Sequence, residues 1–256
     1  MFVTQLSHKN GCDVIYEPEK PLEYESGQTI FVHSNDIPPF FKLILDKPCT
    51  IVTAVGDYSP RTFFSEEDIV RILENKHIFE WRAQNACTIH PKMKHLTIGL
   101  EDTQSKLDFC RDHMDELRAI PKKDEIYSCF AECTNPTERM CFPSDQGPKM
   151  GFEDYMRNMA RYKYVLCPMG NGLDTHRFWE AQVCGCIPVI RCPKEFLPTY
   201  EGFPYISLPG WCAARFGKVE RVEPRVSIFK INISNEDIRS PLQKAYRTKD
   251  FSGTAA

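Results

Sequence analysis

Short runs of apolar, often β-branched residues alternate along this chain with amphipathic segments, and this alternation constrains the fold more than any other feature. Residues 49–55 form an almost unbroken apolar run, which is typical of a parallel strand buried on both faces. The predicted strands cover residues 28–32, 49–55, 78–84, 95–99, 125–131, 162–166 and 187–190. Strands that alternate with helices indicate parallel sheets with right-handed crossovers, and therefore an α/β fold.

Helix signals lie between these predicted strands. Ser65 supplies a capping oxygen, acidic residues follow it, and Ile69, Ile72 and Leu73 form an apolar face, so a helix is predicted to open there. Further helices are predicted over residues 40–45, 152–160 and 174–184.

The chain has 256 residues, enough for one large core or two small ones, since domains commonly hold about 100–150 residues. A charged stretch near 103–123 separates two halves with similar alternation. We predict a first domain over residues 1–105, a linker over 106–123, a second domain over 124–215 and a tail over 216–256. Within that tail, residues 226–233 resemble a strand.

Composition excludes several classes of protein. The 32 basic and 35 acidic residues give a net charge of −3, so the chain has no overall field to attract nucleic acid, and we expect no nucleic-acid partner. No apolar run approaches the roughly 18 residues of a transmembrane helix, and the start lacks the pattern of a signal peptide, so we expect no membrane anchor and a cytoplasmic location. The 12 cysteines contain no C-x-x-C pair, which favours buried free thiols over a structural metal.

The segment at 162–190 carries the strongest chemical signal. A predicted strand is followed by a loop that contains Gly170 and Gly172, called the glycine loop below. A predicted helix, Gly185 and another predicted strand come after it. Gly170 and Gly172 permit a tight turn and close approach to a ligand, Asp174 or Thr175 can cap the helix, and Gly185 suits its end. Free N–H groups at a helix start favour a phosphate or diphosphate, and such a loop is expected outside the carboxyl ends of the strands.

Helical spacing places His176, Arg177 and Glu180 on one face of the predicted helix. Arg177 could pair with a phosphate, and Glu180 could accept hydrogen bonds from ribose hydroxyls. An equally good alternative is a surface ion pair between Arg177 and Glu180, with His176 as a surface group whose hydrogen bonds are satisfied. The G-x-G turn by itself is weak evidence, since it lacks the third glycine of the dinucleotide fingerprint.

The same segment resembles the donor-binding region of exostosin-like glycosyltransferases with the GT-B fold, in particular small stand-alone members. The resemblance is carried by residues 168, 170–174, 176–177, 179–181 and 185–189, and further by 52–58, 81–85, 90–92, 98–102, 134–136, 139, 197–204 and 211. It covers roughly residues 28–212. The tail after Trp211 is short and unlike the helices that we expect there in this family.

The resemblance implies two Rossmann-like domains facing across a cleft. It implies an inverting transfer, in glycan biosynthesis, from a nucleotide-diphosphate sugar to a glycan or glycoprotein acceptor, without a metal or other cofactor. The residues that it suggests for donor binding are Arg139, Lys163, Gly170, Asn171, Gly172, Asp174, Thr175, His176, Arg177 and Glu180. For Lys163 the alternative is a solvated strand end.

An inverting transfer needs a base for the acceptor hydroxyl. Asp57, directly after a buried strand, is the first candidate, and Glu101 with Asp102 is the second. An ordinary Gly-Asp turn and a pair of helix N-terminal acids are the respective alternatives. Asn85 and Trp81 could shape the acceptor side, although a core position suits Trp81 better.

Two other functions remain open from the sequence. A Rossmann-type oxidoreductase would use the same alternation, although no G-x-G-x-x-G follows the first predicted strand. A non-catalytic nucleotide- or carbohydrate-binding module would account for the atypical tail.

Overall fold

The protein contains two parallel β-sheets against which helices pack. The computed structural model describes residues 2–139, 144 and 150–208. The first sheet contains β1 (Val14–Ile15), β2 (Thr29–His33), β3 (Cys49–Ala54), β4 (Ile78–Gln84) and β5 (Met93–Leu96). The second contains β6 (Lys123–Tyr127), β7 (Tyr162–Leu166), β8 (Ile187–Ile190) and β9 (Ile206–Ser207). The predicted α/β class is therefore confirmed, and the predicted strand at 226–233 lies outside the described residues.

Seven α-helices are described between these strands. They are α1 (Gln5–Asn10), α2 (Ile37–Phe40), α3 (Glu66–Leu73), α4 (Gln104–Ala119), α5 (Pro136–Arg139), α6 (Phe152–Met159) and α7 (His176–Val183). The Ser65 side chain caps α3 by accepting the Asp68 N–H at 3.1 Å, as predicted. Gly185 follows α7 with φ +66°, the left-handed conformation that ends helices and favours glycine.

Strand order is consecutive in both sheets, and all neighbouring strands are parallel. Within the described ranges, neither sheet contains the reversal of order that marks the crevice of a complete doubly wound sheet. The arrangement is compatible with two Rossmann-like units. The site must therefore be located from its side chains and loops rather than from a switch in strand order.

Each sheet supports its own core. Ile30, Ile51 and Trp81 are fully buried around the first sheet, and Trp81 donates its indole N–H to Thr53 Oγ1 at 3.0 Å. Trp81 is thus a core residue. Around the second sheet, the core includes Leu117 of α4. The stretch predicted as a linker is therefore largely helical, with an apolar side packed in the second core.

Direct hydrogen bonds join the two halves. The Ile98 N–H donates to Asp174 Oδ2 at 2.7 Å, and His176 Nδ1 lies 2.8 Å from the Gly99 carbonyl oxygen. Gly99 has φ +67°, and a Cβ there would lie 1.9 Å from the Val3 carbonyl oxygen, so only glycine fits. In the part of the chain that is described, no helix is long and apolar enough to span a bilayer.

Candidate functional site

A cavity of about 730 Å³ lies where loops from both sheets meet. His33, at the carboxyl end of β2, and Asp57, in the loop after β3, line one wall. Asn171 and Gly172, in the loop after β7, line the other. The glycine loop therefore faces this cavity. Polar side chains at the carboxyl ends of parallel strands are the usual setting of ligand sites in α/β proteins.

Two residues of the cavity wall have strained backbone conformations. Val55 has φ +62° and Asn85 has φ +52°, and among the described residues no other non-glycine residue has a positive φ. A β-branched residue is a real outlier there, and such strain costs of order 1–3 kcal/mol. The Val55 N–H donates to Gln84 Oε1 at 3.0 Å, which helps to hold this turn. Backbone strain of this kind concentrates at functional sites.

The glycine loop is held from behind by residues that follow β6. Asn135 Nδ2 donates to the Gly170 carbonyl oxygen at 2.9 Å, and Arg139 Nε donates to the Met169 carbonyl oxygen at 3.1 Å. A Cβ on Gly170 would lie 3.3 Å from Arg139 Nη2, so glycine here lets a guanidinium pack against the loop. The structure thus brings together Arg139 and the glycine loop, two of the features predicted for donor binding.

Asn85 connects the two walls of the cavity. Its Nδ2 donates to the Asp57 carbonyl oxygen at 3.2 Å, and its Oδ1 accepts the Asp174 N–H at 2.9 Å. A Cβ on Gly172 would lie 2.7 Å from Asn85 Nδ2, which explains the second glycine of the loop. One buried side chain therefore fixes both Asp57 and the loop. Sequence reasoning placed Asn85 on the acceptor side but did not foresee this contact.

Asp174 lies inside the protein rather than in the cavity wall. It is 3% exposed and accepts hydrogen bonds from the Ile98 and Thr175 N–H groups, from Trp179 Nε1 and from the Tyr200 hydroxyl at 2.7–3.0 Å. Burial raises the pKa of Asp174 to about 6, and these donors oppose the shift. Its described contacts are structural, and they position the start of α7.

Arg177 and Glu180 share a half-buried partner on α6, Tyr155. The Arg177 guanidinium carbon lies 5.4 Å from the centre of the Tyr155 ring, and the Tyr155 hydroxyl donates to Glu180 Oε2 at 2.8 Å. Glu180 is only 8% exposed, so the alternative of a surface ion pair is wrong. The described contacts of Glu180 are with the protein, and it does not line the cavity.

Two arginines flank one aromatic ring beside the glycine loop. The guanidinium carbons of Arg139 and Arg177 each lie 5.8 Å from the centre of the Phe130 ring. Burial, and then the charge of Arg177, lower the pKa of Arg139. Arg177 Nη1 is buried and has no hydrogen-bond partner among the residues that the structure describes. The nearby charge of Glu180 partly compensates Arg177 and helps to raise the pKa of its guanidinium. Neither arginine is among the residues that line the cavity.

The remaining predicted donor residues are placed differently. Lys163 lies near the amino end of β7, whereas the glycine loop follows the carboxyl end of that strand. Its ammonium group pairs with Asp124 at 2.9 Å, so the alternative of a solvated strand end describes this residue. His176 bonds to the first half of the chain rather than to the cavity. Thr175 packs its methyl group towards Gly170 and begins α7 without a side-chain cap.

Glu101 and Asp102 act at the starts of two helices. Glu101 accepts hydrogen bonds from Lys106 and from the Thr103 hydroxyl before α4, and the Lys106 contact lowers the pKa of Glu101. Asp102 accepts the Leu6 N–H of α1 at 3.2 Å. Neither acid lines the cavity. The alternative of helix N-terminal acids therefore describes both positions.

The described residues offer no evident metal site, since no three His, Cys, Asp or Glu side chains cluster there. The cysteines in the described ranges are free, and Cys49, Cys110 and Cys167 are among those that are buried. These observations agree with small apolar thiols in the two cores.

Scanned against models of known protein families and against curated protein sequences, the chain matches none. The fold and the cavity define an α/β protein with two parallel sheets whose loops share a polar cavity. Folds of this class carry many unrelated activities, so the residues of the site, rather than the fold, determine the function.

Proposed function

We propose that this protein is a glycosyltransferase of the GT-B type, which transfers a sugar from a nucleotide-diphosphate sugar to a hydroxyl of a glycan or glycoprotein, with inversion and without a metal. The observation that carries the proposal is that Asp57 and the glycine loop line one cavity. This arrangement suits a reaction in which a base and a leaving-group site must lie close to each other.

The diphosphate would bind at the glycine loop and the start of α7. Arg139 packs against Gly170, and Arg177 Nη1 is buried without a hydrogen-bond partner among the described residues. Two guanidinium groups near one ring repel each other, and bound phosphate oxygens would offset that repulsion and supply hydrogen-bond acceptors. The amino end of α7, which is the positive end of its dipole, follows the glycine loop, and the Asp174 carboxylate already accepts the Thr175 N–H there. Together these groups would stabilise the negative charge that builds up on the departing nucleoside diphosphate.

Asp57 would serve as the base. It is exposed in the cavity wall, and its carboxylate has no hydrogen-bond partner among the described residues, whereas its carbonyl is fixed by Asn85. In the reaction, Asp57 takes the proton of the acceptor hydroxyl while that oxygen attacks the anomeric carbon. The bond from that carbon to the diphosphate oxygen breaks, and the diphosphate leaves with the electron pair.

Thermal unfolding in the presence of UDP-, GDP- and dTDP-sugars tests the proposal. A donor at about 100 times its Kd stabilises the native state by about 2.7 kcal/mol, which raises the midpoint measurably. Transfer or hydrolysis of the bound donor, unaffected by a chelator, would support catalysis. Binding without turnover would favour the non-catalytic module, and no response to any sugar nucleotide would contradict the proposal.

A further inference from the structure

Tyr58 is an exposed aromatic residue in the wall of the cavity. It is 46% exposed and directly follows Asp57, the proposed base. Its ring packs against Phe63, with the two ring centres 5.3 Å apart. Other exposed aromatic side chains, such as Phe79 at 59%, do not line the cavity. An aromatic ring half open to a polar cavity is a platform on which a flat apolar surface can stack.

The turn that carries Tyr58 is fixed on both sides. Before it, the Asp57 carbonyl oxygen accepts the Asn85 amide at 3.2 Å. After it, the buried Ser59 accepts the Arg61 N–H at 3.2 Å and starts the 3-10 helix Pro60–Thr62. A ligand that stacks on Tyr58 would not need to order this loop, so little affinity would be lost on binding.

Hydrogen-bonding groups line the same cavity as the ring. Asp57 offers carboxylate acceptors, and the exposed Asn35 and Asn171 offer amides that both donate and accept. The cation in this lining, Arg61, is already paired with Glu66. The lining therefore combines an aromatic face, polar side chains and a carboxylate that has no ion-pair partner among the described residues.

A pyranose ring has the complementary chemistry, since its C–H groups form an apolar face and its hydroxyls form a polar rim. We propose that Tyr58 is the stacking platform of a subsite for a neutral pyranose, with Asp57 accepting a hydrogen bond from one of its hydroxyls. Sugars that carry a carboxylate would be disfavoured because Asp57 repels them. The identification of the bound pyranose as the acceptor of the transfer rests on the proposed function, whereas the binding of a pyranose to Tyr58 does not.

Saturation-transfer NMR tests the subsite on the whole protein. The probes are methyl β-D-glucopyranoside, methyl β-D-galactopyranoside and methyl α-D-mannopyranoside, with methyl β-D-glucuronide as the charged counterpart. We expect saturation of the ring C–H protons of at least one neutral probe and at least tenfold weaker binding of the glucuronide. The Tyr58→Ala variant should lose binding at least tenfold, whereas Tyr58→Phe should keep it. Phe79→Ala, which removes an exposed aromatic outside the cavity, should bind as the unmodified protein does.

The outcomes separate this inference from the proposed function. Saccharide binding that Tyr58→Ala leaves unchanged, a glucuronide that binds as well as the neutral probes, or no binding of any neutral probe would overturn the subsite. In each case, stabilisation by a sugar nucleotide would still support the transferase. Neutral saccharide binding that depends on Tyr58, without any response to sugar nucleotides, would support the subsite and contradict the transferase. The thermal midpoint of Tyr58→Ala, compared with Tyr58→Phe, checks that the variant is folded.

Discussion

Asn85 Oδ1 accepts the backbone N–H of Asp174 at 2.9 Å across 89 residues of sequence, and this bond ties the end of β4 to the start of α7. The same side chain donates to the Asp57 carbonyl. One buried amide thus contacts the main chain on both sides, at Asp57 and at the end of the glycine loop. Both partners of the Asn85 side chain, the Asp57 carbonyl oxygen and the Asp174 N–H, are main-chain atoms. These two bonds therefore require a particular side chain, that of asparagine, at position 85 alone.

Replacement of Asn85 by alanine should destabilise the protein by about 2–3 kcal/mol, because it removes two hydrogen bonds and leaves the buried Asp174 N–H without an acceptor. Urea unfolding measures the change. Asn171→Ala is the matched control: its side chain is exposed, and the cost should stay within about 0.5 kcal/mol. Equal costs for the two variants would show that Asn85 does not hold the walls together.

Asp174→Asn should destabilise the protein by about 2–3 kcal/mol, since its new NH₂ group meets the N–H and O–H donors that now point at the carboxylate. The folded pKa of Asp174, about 6, lies above the ordinary 3.8. Between these values the native state binds more protons than the unfolded state, so the contribution of Asp174 to stability falls as pH rises from about 4 to about 6.

The difference in unfolding free energy between the unmodified protein and Asp174→Asn should therefore shrink over that pH window and become constant above it. Urea unfolding from pH 4 to pH 7.5 measures this difference. A difference that grows with pH would mean that the native pKa is depressed rather than raised.

Arg177→Ala should weaken nucleoside-diphosphate binding at least tenfold, which corresponds to about 1.4 kcal/mol, because it removes a guanidinium beside the glycine loop. Titration calorimetry with UDP and GDP measures the loss. Lys163→Ala is the control, because it also removes a positive charge, but from the other end of β7. This variant should bind UDP and GDP as tightly as the unmodified protein does. The assignment of Arg177 fails if the two variants bind equally well.

Asp57→Asn should lower the rate of transfer by about 10²–10⁴ and leave donor affinity intact, because it removes the proposed base without altering the carbonyl that Asn85 holds. Glu101→Gln and Asp102→Asn test the second pair of candidate acids and should keep most of the activity. A large loss in either of these, with Asp57→Asn active, would transfer the role of base to that pair.

Much of the fold could be predicted from the sequence, because local periodicity records which faces are buried. The strand predicted at 78–84 coincides with β4, whereas β1 and β9, with two residues each, are too short to produce a periodic signal. The amphipathic spacing near 103–123 was correctly detected, yet its helix is packed in the second core. Charged residues on the outer face of α4 made this segment resemble a linker.

The site was only partly predictable for a related reason. Spacing put Arg177 and Glu180 on one face of a helix, but whether that face meets solvent depends on Tyr155, which lies on another helix. The glycine pattern indicated a close approach of the backbone. The groups that fill the space, Asn85 and Arg139, come from distant parts of the chain, and a single sequence does not record such contacts.

We propose that the glycine loop, Arg139 and Arg177 bind the diphosphate of a sugar nucleotide. The unmodified protein and Arg177→Ala can be titrated with UDP-, GDP- and dTDP-sugars in the presence of a chelator. We expect saturable binding of at least one donor without a metal, and at least tenfold weaker binding by the variant. Absence of binding for every donor, or binding that is strictly dependent on added Mg²⁺ or Mn²⁺ and indifferent to Arg177, would overturn this assignment.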